Sequence, residues 1–350
     1  MNLEKLLSGV RPVEAKAFED CIKRFDQVAK PIGSLGKLEE LLARIAAVGG
    51  SEEVDIDRKA VVVFCADNGV VRRGVAQSGH EVTTAIAGML GLGKASVAVM
   101  AKSCGAEVLV VDIGMVDTVD GLRDCKLMNG TNDITEGFAM SRETAEKAIK
   151  IGIDIVKELK DKGCRLIATG EAGIGNTTTS SAVCATLLGL SASVATGRGA
   201  GLTDDGLCRK IDAIEQAIIR NKPDTSDMVD VLHKLGGLDI AALTGVFLGG
   251  AIHRVPIVMD GFISSTAALL AVGLCPDVSG YIIPSHESAE PCARLLMDKL
   301  GFSPIIQAGM RLGEGKGAVA LFPLLDMTLA VYRDAATFAD IQVYQYKRVL

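Results

Sequence analysis

From residue 60 onward the chain alternates short, uninterrupted apolar runs with longer amphipathic stretches, and few architectures accommodate that pattern. The runs are AVVVFCA (60–66), EVLVVDIG (107–114), CRLIATG (164–170), PIVMDG (256–261) and GYIIPSH (280–286). A strand that is apolar on both faces must be covered on both, which is the situation of a parallel sheet flanked by helices. The stretches 141–161, 204–221 and 316–332 read as such helices, and crossovers between parallel strands are right-handed. The expected fold is therefore α/β, a Rossmann-like doubly wound and mostly parallel sheet. Its core must come from Ala, Val, Ile and Leu, because the chain has no Trp and only 4% aromatic residues.

The first fifty residues read differently. Helix-like segments at 13–28 and 38–48 flank the breaker KPIGSLG at 30–36. At 350 residues the chain exceeds the size at which one core usually stops growing, and the break near residue 50 is the one domain boundary the pattern offers. No internal repeat or low-complexity linker is visible.

Charge and cysteine usage narrow the function. A net charge of −6 without a basic run argues against a surface for nucleic acid. Nine cysteines with no C-x-x-C pair, and four histidines, offer no zinc spacing, so no metal is expected. Scattered thiols suit a reducing compartment, and MNLEKLLSGVRPVEAKAFED does not read as a secretory leader, so the expected location is cytoplasmic. The most apolar stretches, 237–253 and 255–274, are cut by Asp239 and Asp260 and read as buried elements rather than membrane spans.

In doubly wound sheets ligands bind beyond the carboxyl ends of the strands. The five runs end in ADNGV, DIGM, GEAGIGNTT, DGF and SHESAEP, which are expected to converge on one edge. The most informative is GEAGIGNTTTSSA (170–182), where Gly173 and Gly175 permit a tight turn and Asn176, Thr177 and Thr178 supply donors at a helix start. Backbone amides and the positive end of the helix dipole favour a phosphate there. An ordinary βα turn is the alternative. No Gly-Lys-Ser/Thr follows, so this is not a triphosphate-binding loop. A second glycine cluster, TGRGAGLTDDGLCRK (196–210), brings Arg198 and Lys210 near a helix start capped by Thr203, which suits a phosphorylated substrate; a solvated loop and a surface lysine are the alternative.

In MRLGEGKGA (310–318) Glu314 lies between two glycines before an apolar helix, freely aimed as a general base or serving only as an N-terminal helix charge. Asp239, in the apolar GGLDIAALTG (236–245), suggests a buried carboxylate that has a partner or binds a ribose hydroxyl. SHESAEP (285–291) reads equally well as a polar turn, and no G-x-S-x-G elbow accompanies it. The absence of G-x-G-x-x-G after the first strand argues against a dinucleotide-dependent oxidoreductase.

Taken in order, KPIGSLGKLE (30–39), ADNGV (66–70), GEAGIGNTTTSSA, GRGAGLTDDGL (197–207), GGLDIAALTG, VMDGFISSTAAL (258–269), SHESAEP and MRLGEGKGA span residues 30 to 318. This set resembles the nicotinate-nucleotide:dimethylbenzimidazole phosphoribosyltransferases. The resemblance implies a large α/β domain (51–315) and a small helical domain from both chain ends (1–50 with 316–350). It implies transfer of phosphoribose from nicotinate mononucleotide to a small aromatic base, with inversion at C1′ and no cofactor. Glu314 is then the general base, Glu171 a second catalytic carboxylate and Lys210 a substrate ligand. A homodimer, or a heterodimer with a paralogue, is implied as well, and a non-catalytic paralogue is the alternative reading. The acceptor-base region falls on Ala76, Gln77, Ser78, Ala85 and Leu312. The loop GVAQSGHEVTTAI (74–86) departs from the common family pattern, which opens the acceptor to phenol, p-cresol or adenine beside 5,6-dimethylbenzimidazole.

Overall fold

The computed structural model describes residues 3–347. In chain order the elements begin with helices α1 (Leu3–Leu7), α2 (Ala15–Gln27) and α3 (Lys37–Gly49), followed by strand β1 (Lys59–Ala66). Next come α4 (His80–Gly91), α5 (Ser96–Ser103), β2 (Glu107–Gly114), β3 (Arg123–Asp124), α6 (Arg142–Asp161) and β4 (Leu166–Ala172). Helices α7 (Asn176–Leu188), α8 (Ala192–Ala195), α9 (Asp204–Asn221), α10 (Met228–Leu235) and α11 (Leu238–His253) then lead to β5 (Ile257–Met259). The chain continues through α12 (Phe262–Leu274), β6 (Ile282–Pro284), α13 (Ala293–Leu300) and α14 (Lys316–Asp334).

The six strands form one parallel sheet in the order β3-β2-β1-β4-β5-β6. The chain winds outward in both directions from β1 and β4, whose carboxyl ends therefore border the crevice where such sheets bind ligands. All eight residues of β1 are buried. Ala60, Val62, Phe64 and Ala66 enter one core and Val61, Val63 and Cys65 the other, the period of two that a doubly covered strand demands.

The first core lies under α6 and α11. Helix α11 is buried from Leu238 to Ala251, which matches its apolar character all round. The two helices touch backbone to backbone at Gly152 and Gly245, where an added Cβ would collide with the carbonyls of Ala242 and Ile149 respectively. The second core unites Phe25, Leu42, Ile45, Phe322 and Leu325 with the opposite face of the sheet, so helices from both chain ends share it. Tyr332 ties these elements together, packing its ring at a tilt of 59° against Phe25 with centroids 4.8 Å apart and donating its hydroxyl to the Glu52 carbonyl at 2.8 Å.

Three details differ from the sequence pattern. Strand β4 runs to Ala172, two residues past the apolar run, so Glu171 belongs to the strand end rather than to the glycine loop. Strand β3, an exposed Arg-Asp pair, has no apolar signature by which it could be read. The expected strand at 280–286 shortens to three residues, because 276–281 forms a 3₁₀ turn. One stretch among the described residues, His80–Ser103, is apolar and long enough to cross a membrane, and a turn divides it into α4 and α5.

Candidate active site

Beyond Ala172 the chain turns sharply through Gly173-Ile174-Gly175 into α7. A Cβ on Gly173 would collide with the Ala66 carbonyl, and Gly175 has φ +91°, so both glycines are needed for the turn to pass over the end of β1. The turn aims the start of α7 into a cleft that Glu171, Gly173, Gly175, Asn176 and Thr177 line. Thr178 does not line it. One helical step past Thr177, its side chain is fully buried, and its hydroxyl has no hydrogen-bond partner.

Lys210 reaches the cleft from α9. Its side chain is fully buried, and its Nζ donates to Thr177 Oγ1 at 2.8 Å and to the Gly197 carbonyl at 3.1 Å. Burial pushes its pKa down to about 8, against the opposing pull of Glu290. Both hydrogen-bond partners are neutral oxygens, which suits an ammonium that awaits an anion. Gly199, in the left-handed region at φ +53°, closes the loop over Thr177 and Lys210. Arg198 stands at the rim, half-exposed, donating to the Leu202 carbonyl at 2.9 Å and pairing with Asp204.

The carboxylates lie deeper. Burial first, then the neighbouring Asp239, holds Glu171 well above the usual carboxylate range. Asn176 Nδ2 donates to Glu171 Oε2 and to Asp239 Oδ2. Burial raises Asp239 to about 6, opposed by its bonds from Asn176 and the Ile240 amide. Asp239 does not line the cleft. Of the two possibilities it carried in the sequence, the partnered buried carboxylate is the one found.

Glu314 is not freely aimed. It adopts the left-handed conformation at φ +68°, which a non-glycine residue holds only under constraint. Its amide donates to the Glu171 carbonyl at 3.0 Å. Asp260 accepts from the next amide, Gly315, at 3.1 Å and from Ala318 at 3.0 Å, capping α14. The Glu314 side chain is 12% exposed, lines the cleft and lies 2.8 Å from Lys316 Nζ.

Val75, Ala76, Gln77, Ser78 and Leu312 also line the cleft, with Gln77 bridging to the Gly201 carbonyl. Ala85 does not. It sits on the exposed side of α4, and Ile86, one helical step on, faces the cleft instead.

Sequence reasoning passed over Asp260, His286, Ser288, Glu290 and Arg311, all of which line the cleft. His286 and Glu290 lie within SHESAEP, which reads equally well as a polar turn, and Asp260 is visible as an aspartate interrupting an apolar stretch. ADNGV and DIGM do not reach the cleft. They brace one another instead, with the Asp67 amide donating to the Gly114 carbonyl at 3.0 Å and Asp67 Oδ2 accepting from Val116 at 2.8 Å.

Known proteins share this chain's sequence and fold. A family model described as phosphoribosyltransferase matches residues 10–343. The nicotinate-nucleotide–dimethylbenzimidazole phosphoribosyltransferase of Ruminiclostridium cellulolyticum is 44% identical over 349 residues, 99% of each chain. That of Acetivibrio thermocellus is 46% identical over 327 residues, 93% of each chain. The crystal structure of CobT from Thermus thermophilus superposes with a TM-score of 0.89 at 35% identity, covering 95% of this chain and 100% of that one. On full-length identity and shared fold alike, the chain belongs to the nicotinate-nucleotide–dimethylbenzimidazole phosphoribosyltransferase family.

Proposed function

We propose that this enzyme transfers the 5-phosphoribosyl group of nicotinate mononucleotide to a small aromatic base, releasing nicotinate and an α-ribotide for the lower ligand of a cobamide. One observation carries the reading. A buried ammonium bonded only to neutral oxygens, Lys210, and a constrained carboxylate, Glu314, line the same cleft at the carboxyl edge of the sheet.

Lys210 and the turn from Gly173 to Thr177 hold the phosphate, with Arg198 adding charge at the rim. The nicotinate ring nitrogen of the substrate is a pyridinium. When its bond to C1′ breaks, the electron pair stays on nitrogen and neutralises it. The acceptor's ring nitrogen, or a phenol's hydroxyl oxygen, gives its own pair to C1′ from the opposite face, which inverts the centre, and Glu314 takes the proton that the acceptor loses. Burial and the neighbouring Asp239 hold the pKa of Glu171 up. An incoming pyridinium opposes that shift, and the carboxylate form it favours stabilises positive charge developing at C1′.

The acceptor wall is apolar at Val75, Ala76, Ile86 and Leu312, Gln77 is engaged with Gly201, and Ser78 adds a single hydroxyl. Such a wall suits rings without a second nitrogen, so phenol and p-cresol join 5,6-dimethylbenzimidazole and adenine as acceptors. We assign the enzyme to the cytoplasm and expect it to act as a homodimer or as a heterodimer with a paralogue.

The test incubates the purified chain with nicotinate mononucleotide and equal amounts of the four bases, identifying products by mass and anomeric configuration. Nicotinate release with α-ribotides is expected. A β product, or no product with any base, overturns the reaction, whereas exclusive use of 5,6-dimethylbenzimidazole overturns only the acceptor range.

A further inference from the structure

Lys316 is the first residue of α14, and its position runs against elementary electrostatics. A cation in the first turn faces the positive end of the helix dipole, and this one is also withdrawn from water, its side chain 7% exposed. Burying a charge in that place is unfavourable unless something nearby compensates it. Lys316 does not line the cleft. Its Nζ lies 3.2 Å from the Gly313 carbonyl and 2.8 Å from Glu314 Oε2.

Among the described residues Glu314 is the carboxylate paired with that ammonium. The neighbouring acids are occupied elsewhere: Asp260 is satisfied by two backbone amides, and Asp239 and Glu171 share the Asn176 amide. Glu314 Oε2 is buried without a hydrogen bond in good geometry, and the Lys316 ammonium is its ion-pair partner. The backbone beneath is already held at φ +68°. Backbone and side chain of Glu314 are thus restrained separately, the first by Glu171 and Asp260 and the second by Lys316.

We infer that Lys316 is a positioning residue for the transfer, its ammonium holding one oxygen of Glu314 from behind the cleft so that the other faces the acceptor's departing proton. The inference rests on the proposed role of Glu314 as the base. A general base gains from a fixed orientation because it must lie within hydrogen-bond reach of the proton it removes. An ordinary helix-start lysine bonded to Gly313 would stabilise the fold without this dependence on Glu314.

A double-mutant cycle separates the two roles. With nicotinate mononucleotide and 5,6-dimethylbenzimidazole, Lys316→Met should lower kcat by about 10-fold or more and change the KM for the nucleotide by less than about 3-fold. Lys316→Gln keeps a donor to Gly313 without the charge, provides a second variant should methionine not fold, and should behave likewise. Lys316→Arg should recover most of the rate. In a Glu314→Gln background, Lys316→Met should alter kcat by less than about 2-fold, because there is no carboxylate left to hold.

Wild-type kcat in Lys316→Gln, or an equal loss in both backgrounds, would overturn the inference and leave only a structural lysine. Unimpaired turnover in Glu314→Gln alone would instead overturn the role of Glu314, so the two failures are distinguishable.

Discussion

Asn176 divides its side-chain amide between two buried carboxylates, donating to Glu171 and, at 2.9 Å, to Asp239. Sixty-three positions separate Asn176 from Asp239 in the chain, so this bond fastens the start of α7 to that of α11 directly behind the cleft. Asn176→Ala would leave both carboxylates without that donor. Each lost bond to a buried group costs about 1–3 kcal/mol, and Glu171 would lose its orientation. Denaturant unfolding should show the destabilisation, and steady-state kinetics should show a lower kcat. Wild-type behaviour in both would contradict the bridging role.

Asp239 makes stability depend on pH with a definite sign. Burial raises its pKa to about 6 in the folded protein, against about 3.9 in an unfolded chain. The folded state therefore binds the proton more tightly, so stability is fullest below about pH 4 and falls as pH rises to about 6. Two units correspond to about 3 kcal/mol at most. Glu171 acts in the same sense. Asp239→Asn should flatten part of this slope in chemical denaturation followed between about pH 4 and about pH 7. An unchanged slope would remove Asp239 as its source.

Lys210 should limit nucleotide capture at alkaline pH. With its pKa lowered to about 8 by burial, the free enzyme loses the ammonium above that value and with it the attraction for phosphate. The quantity kcat/KM for nicotinate mononucleotide, which reports free-enzyme ionisations, should fall about tenfold per unit above about pH 8. Arginine remains charged throughout this range, so Lys210→Arg should abolish the descending limb even if its absolute rate is lower. Persistence of the limb in that variant would assign it to another group.

Glu314→Gln preserves size but cannot accept the proton. Turnover should drop by about 10²–10⁴-fold with little change in nucleotide binding measured by calorimetry. Near-normal turnover would take Glu314 out of the chemistry.

The exposed pair of β3 was not legible in the sequence, whereas the other five strands, the helices α2, α3, α6 and α9, and the turn that starts α7 were. Each is written in residues that are neighbours in the chain, as an uninterrupted apolar run, a helical periodicity or a Gly-x-Gly break. The family motifs likewise singled out Glu314 and the glycine loops, which the structure brings to one cleft. The tertiary structure alone decided which side chain of a helix meets the cleft. Thr177 and Ile86 reach it while Thr178 and Ala85 do not, because the rotation of a helix about its axis is set by packing against distant elements. It also decided that Glu314, flanked by glycines that by themselves would let it turn, is held by Glu171, Asp260 and Lys316. Two of these three belong to strand ends far away in the chain, and a bond between such segments leaves no local trace, since it exists only once the sheet has brought their ends together.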